Sequence, residues 1–282
     1  RIRADAGILD KHREGAWIFY RLNLQAGAIS GLEQTLLALG SGANDVLRGD
    51  LERLAEVHAE RARAASVFFA ENADSGERLR ALHLPESDIE ATMRDMVGGT
   101  PVDRLVDLGT GTGQMLIVFS DLYREATGYD VSREMLAIAR TRLAEAGVEG
   151  VNVRLSDIYD IAPELPGADL VSIHQVLHYL SDPARAIAVA RRLLKPGGRL
   201  LIVDFAAHDL EFLREEFAHV RLGFSDAEVA RWAAAEGLRL IRTETLVPRA
   251  DETDRLTVKL WLLADTAVAA DAPQNAREVE HV

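Results

Sequence analysis

The sequence predicts an α/β fold with a seven-stranded, mostly parallel sheet. Three observations support this prediction. Segments with the pattern of buried strands alternate with helical segments from about residue 85 to residue 264, which favours a parallel sheet with helices on both faces. A glycine-rich turn at 109–113 directly follows an apolar run. Helix-capping and helix-ending residues stand at the junctions between these segments, where such a fold requires them.

The elements follow one another in a regular order along the chain. We expect strands at 104–108, 125–129, 151–155, 168–173, 199–205, 238–245 and 256–263. We expect helices at 88–97, 115–123, 133–146, 183–194 and one from Ser225 to Gly237. Ser87 and Ser225 each precede a glutamate by three residues, which is the capping-box pattern. Ser132 and Asp182 are the expected N-caps of two further helices, and Lys195-Pro-Gly-Gly is expected to end the fourth helix.

Acidic residues extend the glycine-rich turn into a longer pattern. The run from Val106 to Gly113 reads VDLGTGTG. Asp130 stands 21 residues after Gly109, at the end of the second strand, and Asp157 follows a further 27 residues on. An acid at the end of the second strand is where Rossmann-like folds bind a ribose diol. The pattern Asp-x-Gly-x-Gly-x-Gly, then Asp, then Asp, resembles the class I S-adenosylmethionine-dependent methyltransferases.

A NAD- or FAD-binding domain is the alternative interpretation of the same turn. Such domains also combine a glycine turn with an acid at a strand end. They normally carry Gly-x-Gly-x-x-Gly and hold a pyrophosphate at a helix N-terminus. Asp107 lies inside the motif, and its negative charge suits a cofactor with a cationic amino group better than one with phosphates. The predicted cofactor is therefore S-adenosylmethionine.

The resemblance implies a set of cofactor contacts at the ends of the first strands. Asp107 and the glycine-loop backbone are assigned to the methionine end, Asp130 to the ribose hydroxyls, and Asp157 with the Ile158 backbone to the adenine. The complete expected set of cofactor-binding residues is Asp107, Gly109, Thr110, Gly111, Gly113, Asp130, Val131, Asp157, Ile158 and His174.

Two histidines after the fourth strand are the candidates for a proton acceptor. Methyl transfer is a displacement at the sulfonium methyl, so the enzyme must hold the cofactor and align a nucleophile. His174 and His178 follow the strand at the carboxyl edge of the sheet, and histidine has a pKa suited to taking a proton. The alternative interpretation is that they pack around the sulfonium region of the cofactor.

The segment after the fifth strand is expected to form part of a substrate lid. It contains His208, Asp209, His219 and Arg221. No tight ligand spacing links these residues, so no metal site is expected.

Composition excludes several classes of function. The net charge of −13 argues against a polyanion-binding surface over the whole chain. The chain has no cysteine, which removes disulfides and thiolate metal sites and fits a reducing compartment. Arsenite methyltransferases resemble this domain but depend on cysteines, so that substrate is discounted. No long apolar run or signal-peptide pattern occurs, and we expect a cytoplasmic protein that does not bind membranes.

The N-terminal segment carries a different pattern. Residues from Ala6 to Leu22 are expected to form a β-hairpin with its turn at Glu14-Gly15. The part from Gly7 to Leu22 resembles the wing of ArsR-type winged-helix repressors, with 1–6 as the end of a recognition helix whose remainder is absent from the sequence. The first 21 residues carry five basic and three acidic side chains. The expected DNA contacts of this wing are Lys11, His12 and Arg13.

These patterns divide the chain into four predicted regions. An apolar stripe that begins at Leu47 indicates either a helix packed on its own core or the interface of a homodimer. The regions are the end of a winged-helix domain at 1–24, a helical linker or dimerisation segment at 25–84, the methyltransferase domain at 85–264 and a disordered tail at 265–282.

Three functions remain open from the sequence. The first is an enzyme that methylates a small molecule and is fused to an ArsR-type transcriptional regulator, which binds operator DNA. The second is a transcriptional regulator that uses S-adenosylmethionine or S-adenosylhomocysteine as an effector, with little methyl transfer. The third is a methyltransferase of ubiquinone or menaquinone biosynthesis with an unrelated helical N-terminus.

Overall fold

A computed structural model of the chain describes residues 9–14, 17–22, 53, 85–163, 167–248 and 256–265. They belong to two compact units, 1–60 and 61–282. In the first unit, strands β1 (Leu9–Glu14) and β2 (Trp17–Leu22) form an antiparallel hairpin in which Glu14 pairs with Trp17. The expected hairpin is thus present. The expected helical segment at 25–84, apart from helical Arg53, and the tail after 265 lie outside the described residues.

The second unit is a sheet of seven strands with helices between them. The strands are β3 (Val102–Leu108), β4 (Tyr123–Asp130), β5 (Val151–Leu155), β6 (Ala168–His174), β7 (Leu194–Phe205), β8 (Leu238–Leu246) and β9 (Val258–Asp265). The helices are α1 (Glu86–Val97), α2 (Gln114–Val118), α3 (Arg133–Glu145), α4 (Pro183–Leu193), α5 (Phe212–Glu216) and α6 (Asp226–Ala235). No helix in these described ranges is both long and apolar enough to cross a bilayer.

The strand order creates a crevice in the middle of the sheet. The order is β5-β4-β3-β6-β7-β9-β8, with β3 to β7 parallel and β9 antiparallel to both of its neighbours. The chain builds outward from β3 in one direction and then returns to build from β6 in the other. Ligands of open α/β sheets bind at the carboxyl ends of the strands where this direction changes, here between β3 and β6.

Two hydrophobic clusters cover the faces of the sheet. On β7, Leu200 and Ile202 belong to one cluster, whereas Leu201 and Val203 belong to the other. Helix α4 packs in the first cluster and α1 in the second. Because successive side chains of a strand point to opposite faces, a strand covered on both faces reads as an uninterrupted apolar run.

Most predicted helix starts are confirmed, and one is wrong. Ser225 and its glutamate form a complete capping box, and Ser132 and Asp182 cap their helices through their side chains. The capping box at Ser87 is absent, because α1 starts earlier, after Pro85 as N-cap. Ser87 therefore lies inside the first turn. The predicted helix 115–123 is also too long, since α2 ends at Val118 and β4 already begins at residue 123.

Candidate functional site

The glycine-rich turn is a tight loop held against the next strand. The backbone N–H groups of Gly109 and Thr110 both donate to the carbonyl of Tyr129 at 2.8 Å. Gly109 has a φ of +73°, and a Cβ there would lie 2.4 Å from a methyl carbon of Val176. Gly111 has a φ of +52°, but a Cβ there would meet no atom within 4 Å. The loop therefore packs tightly on one side and leaves open space on the other.

An arginine that the sequence did not indicate fixes the far side of this loop. Arg142 of α3 donates to the hydroxyl of Thr112 at 2.6 Å and to the side chain of Gln114. Gln114 in turn donates to Glu90 of α1 at 2.6 Å. Gly113, a predicted cofactor residue, is the N-cap of α2 between these contacts. The loop conformation thus depends on two neighbouring helices as well as on its own glycines.

Asp107 is a buried acid with one oxygen lacking a partner. Its side chain is 1% exposed, and Oδ1 accepts a hydrogen bond from the Ser172 hydroxyl at 2.6 Å. Within the described part of the chain, Oδ2 has no hydrogen-bond partner. Burial raises the pKa of Asp107 to about 6, against the lowering effects of the Ser172 and Thr110 hydroxyls. A buried acceptor without a donor is rare in native proteins, and a cationic amino group bound here would supply one.

Asp130 is held in a fixed orientation at the end of β4. Its Oδ2 accepts from the backbone N–H of Gly111 and its Oδ1 from that of Ser132, each at 2.8 Å. Burial raises the pKa of Asp130. Each carboxylate oxygen keeps a further lone pair for a ligand hydroxyl. The next residue, Val131, is 49% exposed, so it offers accessible apolar surface beside the acid.

Asp157 lies beside Asp130 at the same edge of the sheet. The backbone N–H of Ser156 donates to the carbonyl of Asp130 at 2.9 Å, which connects the two strand ends. Asp157 caps a short 3₁₀ turn by accepting from Tyr159 N–H at 2.9 Å, and the Ile158 side chain is buried. The structure thus brings the predicted residues of β3, β4 and β5 together along one edge.

The two candidate histidines have different environments. His174 ends β6, and burial of its ring lowers its pKa to about 4. His178 lies in the short turn after β6, and its Nδ1 is 2.8 Å from Oδ1 of Asp204. The side chains of His178 and Asp204 are 2% and 0% exposed, respectively. Asp204 also accepts the backbone N–H groups of His178 and Phe205. The sequence analysis did not name Asp204 as a site residue, although an acid inside the apolar run 200–205 indicates a buried functional group.

The segment after β7 packs onto His178. The His219 ring lies 4.3 Å from the His178 ring, centroid to centroid, and the His178 carbonyl accepts from the N–H groups of Val220 and Arg221 at 2.9 Å. His208 and Asp209 line a separate cleft of about 370 Å³ between the ends of β7 and β9. In the described ranges, no three His, Cys, Asp or Glu side chains are grouped in a way that suits a metal ion.

Together these residues form a site with two halves. The first half, at β3 to β5, offers three carboxylates, a glycine loop and an exposed apolar side chain. This set fits a ligand with an amino group, a diol and a flat ring, as S-adenosylmethionine has. The second half, after β6 and β7, offers histidines near the crevice, with His178 held by a carboxylate. A proton acceptor beside a bound electrophile is what methyl transfer to an oxygen or nitrogen requires.

Comparison with known proteins identifies the family of the second unit. The methyltransferase domain family matches residues 100–241, half of the chain, and the chain belongs to this family. The predicted enzyme class, a methyltransferase that depends on S-adenosylmethionine, is confirmed by this match. The match lies within the second unit and gives no support to a winged-helix regulator in the first.

Two relatives of known sequence are also methyltransferases. The chain is 29% identical over 176 residues to the ubiquinone biosynthesis O-methyltransferase of Xanthomonas euvesicatoria, covering 57% of this chain and 72% of that one. It is 36% identical over 124 residues to the ubiquinone/menaquinone biosynthesis C-methyltransferase UbiE of Vibrio cholerae, covering 42% of this chain and 46% of that one. The matched region is therefore the methyltransferase domain rather than the whole chain.

Solved structures with the same fold include methyltransferases. The YcgJ protein of Bacillus subtilis superposes with a TM-score of 0.52 at 21% identity, covering 62% of this chain and 97% of that one. The N-methyltransferase NodS of Bradyrhizobium japonicum, solved with S-adenosylhomocysteine, superposes with a TM-score of 0.52 at 19% identity, covering 64% of this chain and 87% of that one. The predicted seven-stranded methyltransferase fold is confirmed, and the predicted cofactor agrees with such neighbours.

Proposed function

We propose that the chain transfers the methyl group of S-adenosylmethionine to a small molecule at the crevice between β3 and β6. The observation that carries this proposal is Asp107. A buried carboxylate whose Oδ2 makes no hydrogen bond to the described residues, next to a glycine loop, suits the cationic amino group of the cofactor. When bound, the cofactor supplies an electrophilic methyl group on a sulfonium.

The first half of the site is assigned to holding the cofactor. Asp107 accepts a hydrogen bond from the amino group of the cofactor, and the backbone of the glycine loop lies beside the methionine end of the cofactor. Asp130 accepts the ribose hydroxyls through the lone pairs that Gly111 and Ser132 leave free. Asp157, with the Ile158 backbone, is assigned to the adenine edge, and Val131 to the adenine face. Exposed apolar area at Val131 supports the last assignment, because covering it with a ring is favourable.

His178 is the better-supported proton acceptor of the two histidines. A contact of 2.8 Å with Asp204 favours the tautomer that carries its proton on Nδ1 and donates it to the carboxylate. The lone pair then lies on Nε2, which is the atom assigned to take the proton of a hydroxyl or amine as the methyl group is transferred. Burial lowers the pKa of His174 from the ordinary 6.5 to about 4, which makes it a weak base. Its assigned role is packing next to the cofactor.

Calorimetry with three ligands tests the cofactor assignment. We expect S-adenosylmethionine and S-adenosylhomocysteine to bind the full chain. Methylthioadenosine, which lacks the amino-acid end, should bind more weakly because it has no partner for Asp107. Equal affinity for methylthioadenosine and S-adenosylhomocysteine would remove the assigned role of Asp107, and failure of all three to bind would overturn the proposed function.

A second proposal concerns the first unit and comes from its hairpin. We infer that β1–β2 is the wing of a DNA-binding domain, in which Lys11, His12 and Arg13 contact phosphates. These three residues lie consecutively on β1, paired with Tyr20, Phe19 and Ile18 of β2. In this proposal the enzyme regulates its own operon, or the cofactor acts as an effector of the regulator, and the protein is a homodimer matched to a palindromic operator.

Charge reversal tests the wing directly. The double variant Lys11→Glu and Arg13→Glu should weaken binding to upstream promoter DNA, and the weakening should shrink at high salt. Titrating S-adenosylhomocysteine into the protein with and without that DNA would then distinguish an effector site from an independent enzyme. Undiminished DNA affinity in the double variant would refute the wing, while leaving the methyltransferase proposal in place.

A further inference from the structure

Gln175 has a backbone conformation that side chains rarely adopt. It follows directly after β6, and its φ is +56°. Among the non-glycine residues that the structure describes, only Gln175 and Ala218 have a positive φ. The backbone N–H of Gln175 donates to the carbonyl of Val203 on β7 at 2.8 Å. This hydrogen bond holds the strained residue in place at the end of the strand.

The side chain of Gln175 is also unsatisfied. Both its amide nitrogen Nε2 and its amide oxygen Oε1 are buried without a hydrogen-bond partner in the part of the chain that the structure describes. An amide that loses both of its water contacts without replacement destabilises the folded state. Residues held in rare backbone conformations cluster at functional sites, where the surrounding structure enforces them.

The position of Gln175 connects the two halves of the site. The next residue, Val176, packs against Gly109 of the glycine loop. Beyond it lies His178, the proposed proton acceptor. On the other side, the hydrogen bond to Val203 ties Gln175 to β7. Gln175 therefore stands at the crevice where the cofactor half of the site meets the histidine half.

We propose that Gln175 is a specificity-determining residue whose carboxamide binds the methyl acceptor. This inference rests on the proposed function. The amide presents an N–H donor group beside an oxygen acceptor, so a ligand that satisfies both must present an acceptor beside a donor. A hydroxyl next to a second oxygen is the simplest such group on a methyl acceptor. The amino group of the cofactor is assigned to Asp107, which leaves the Gln175 amide for the acceptor.

Three variants separate this role from a structural one. Gln175→Gly removes the amide and suits the positive φ. Gln175→Leu removes the polar atoms and keeps the bulk. Ala218→Gly is the matched control, since Ala218 has a φ of +55° and no assigned role in binding. Each variant is examined by thermal unfolding, by calorimetry with S-adenosylhomocysteine and methylthioadenosine, and by binding of catechol to the complex with S-adenosylhomocysteine. The dimethyl ether of catechol serves as the probe without a donor.

If the Gln175 amide binds the methyl acceptor, we expect the following results for catechol binding, S-adenosylhomocysteine affinity and Tm. Catechol, but not its dimethyl ether, binds the wild-type complex, and both Gln175 variants weaken this binding at least tenfold. Their affinity for S-adenosylhomocysteine stays within twofold of the wild type. The Tm of Gln175→Gly is unchanged or higher, as it is for Ala218→Gly, whose catechol binding is unchanged.

Three results would overturn the proposal. A lower Tm for Gln175→Gly would show that the amide stabilises the fold. A loss of affinity for S-adenosylhomocysteine but not for methylthioadenosine would place the amide on the cofactor. Catechol that fails to bind, or binds the variants equally well, would exclude the assigned ligand class. Wild-type protein that does not bind S-adenosylhomocysteine would instead refute the proposed function, so the two failures are distinguishable.

Discussion

Replacing Asp107 by asparagine should make the free protein more stable at neutral pH. Burial raises the pKa of Asp107 from the ordinary 3.8 to about 6. Between these values the folded state binds more protons than the unfolded state, so stability falls as the pH rises through this range. The difference of about two between the folded and unfolded pKa values corresponds to about 3 kcal/mol in the free energy of unfolding. This destabilisation is complete above about pH 6 and absent below about pH 4.

The Asp107→Asn variant removes this ionisation while its amide oxygen can still accept from Ser172. Without cofactor, we expect it to be up to about 3 kcal/mol more stable at pH 7.5, or about 6 to 12 °C in Tm for a domain of this size. The difference should vanish near pH 4. Thermal unfolding from pH 4 to pH 8 measures it. Asp121→Asn is the matched control, because Asp121 is an exposed acid paired with Arg94, and its loss should change stability by no more than about 0.5 kcal/mol.

Ligand affinity provides the second part of the same test. A charge-assisted hydrogen bond contributes about 1.5 to 3 kcal/mol, so Asp107→Asn should weaken S-adenosylhomocysteine by about 10- to 100-fold. Methylthioadenosine should bind both proteins equally, since it lacks the amino group. Parallel pH–stability curves for the variant and the wild type would refute the electrostatic argument. Equal losses of affinity for both ligands would refute the contact between Asp107 and the amino group.

Three further predictions test other parts of the site and the fold. Asp130→Ala should raise the calorimetric Kd for S-adenosylhomocysteine about tenfold or more, and an unchanged Kd would contradict the ribose assignment. Asp204→Asn should change the tautomer of His178, seen as altered ¹⁵N shifts of its ring by NMR; identical ring shifts would show that Asp204 does not orient His178. Ser225→Ala should lower the free energy of unfolding by about 1 kcal/mol, because α6 loses its cap, with no effect on ligand affinity; equal stability in denaturant titration would count against the capping box.

Local patterns in the sequence predicted the elements of the second unit well where local interactions decide them. The helix that begins after Ser225 has both of its capping-box hydrogen bonds. The strand 151–155 has the predicted bounds. In both cases the signals lie within a few residues of the element itself. The acids Asp107, Asp130 and Asp157 were named from their spacing and the family resemblance. The structure places them at one edge of the sheet because parallel strands end there together.

Features set by distant contacts could not be predicted in this way. The end of α2 is one example, since the apolar run 115–119 continues without a glycine or proline. The helix ends at Val118, and the Leu122 carbonyl then accepts from Val102 N–H at 2.8 Å at the start of β3, a contact between residues distant in sequence. Gln175 is another example. Its positive φ and unsatisfied amide depend on β7 and on the glycine loop, and a glutamine after a strand carries no sign of either.

The order of the strands has a consequence for biosynthesis. β8 has a single neighbour, β9, which also separates β8 from β7. During synthesis, residues 238–246 leave the ribosome before residues 258–265. Until β9 has been made, β8 has no neighbouring strand and one edge of β7 is unpaired. The sheet is thus completed from within by the last of its described strands, and a nascent chain that stops before residue 258 leaves the edge of β7 and the whole of β8 unpaired. The sheet therefore remains open in its interior until residues 258–265 have been synthesised.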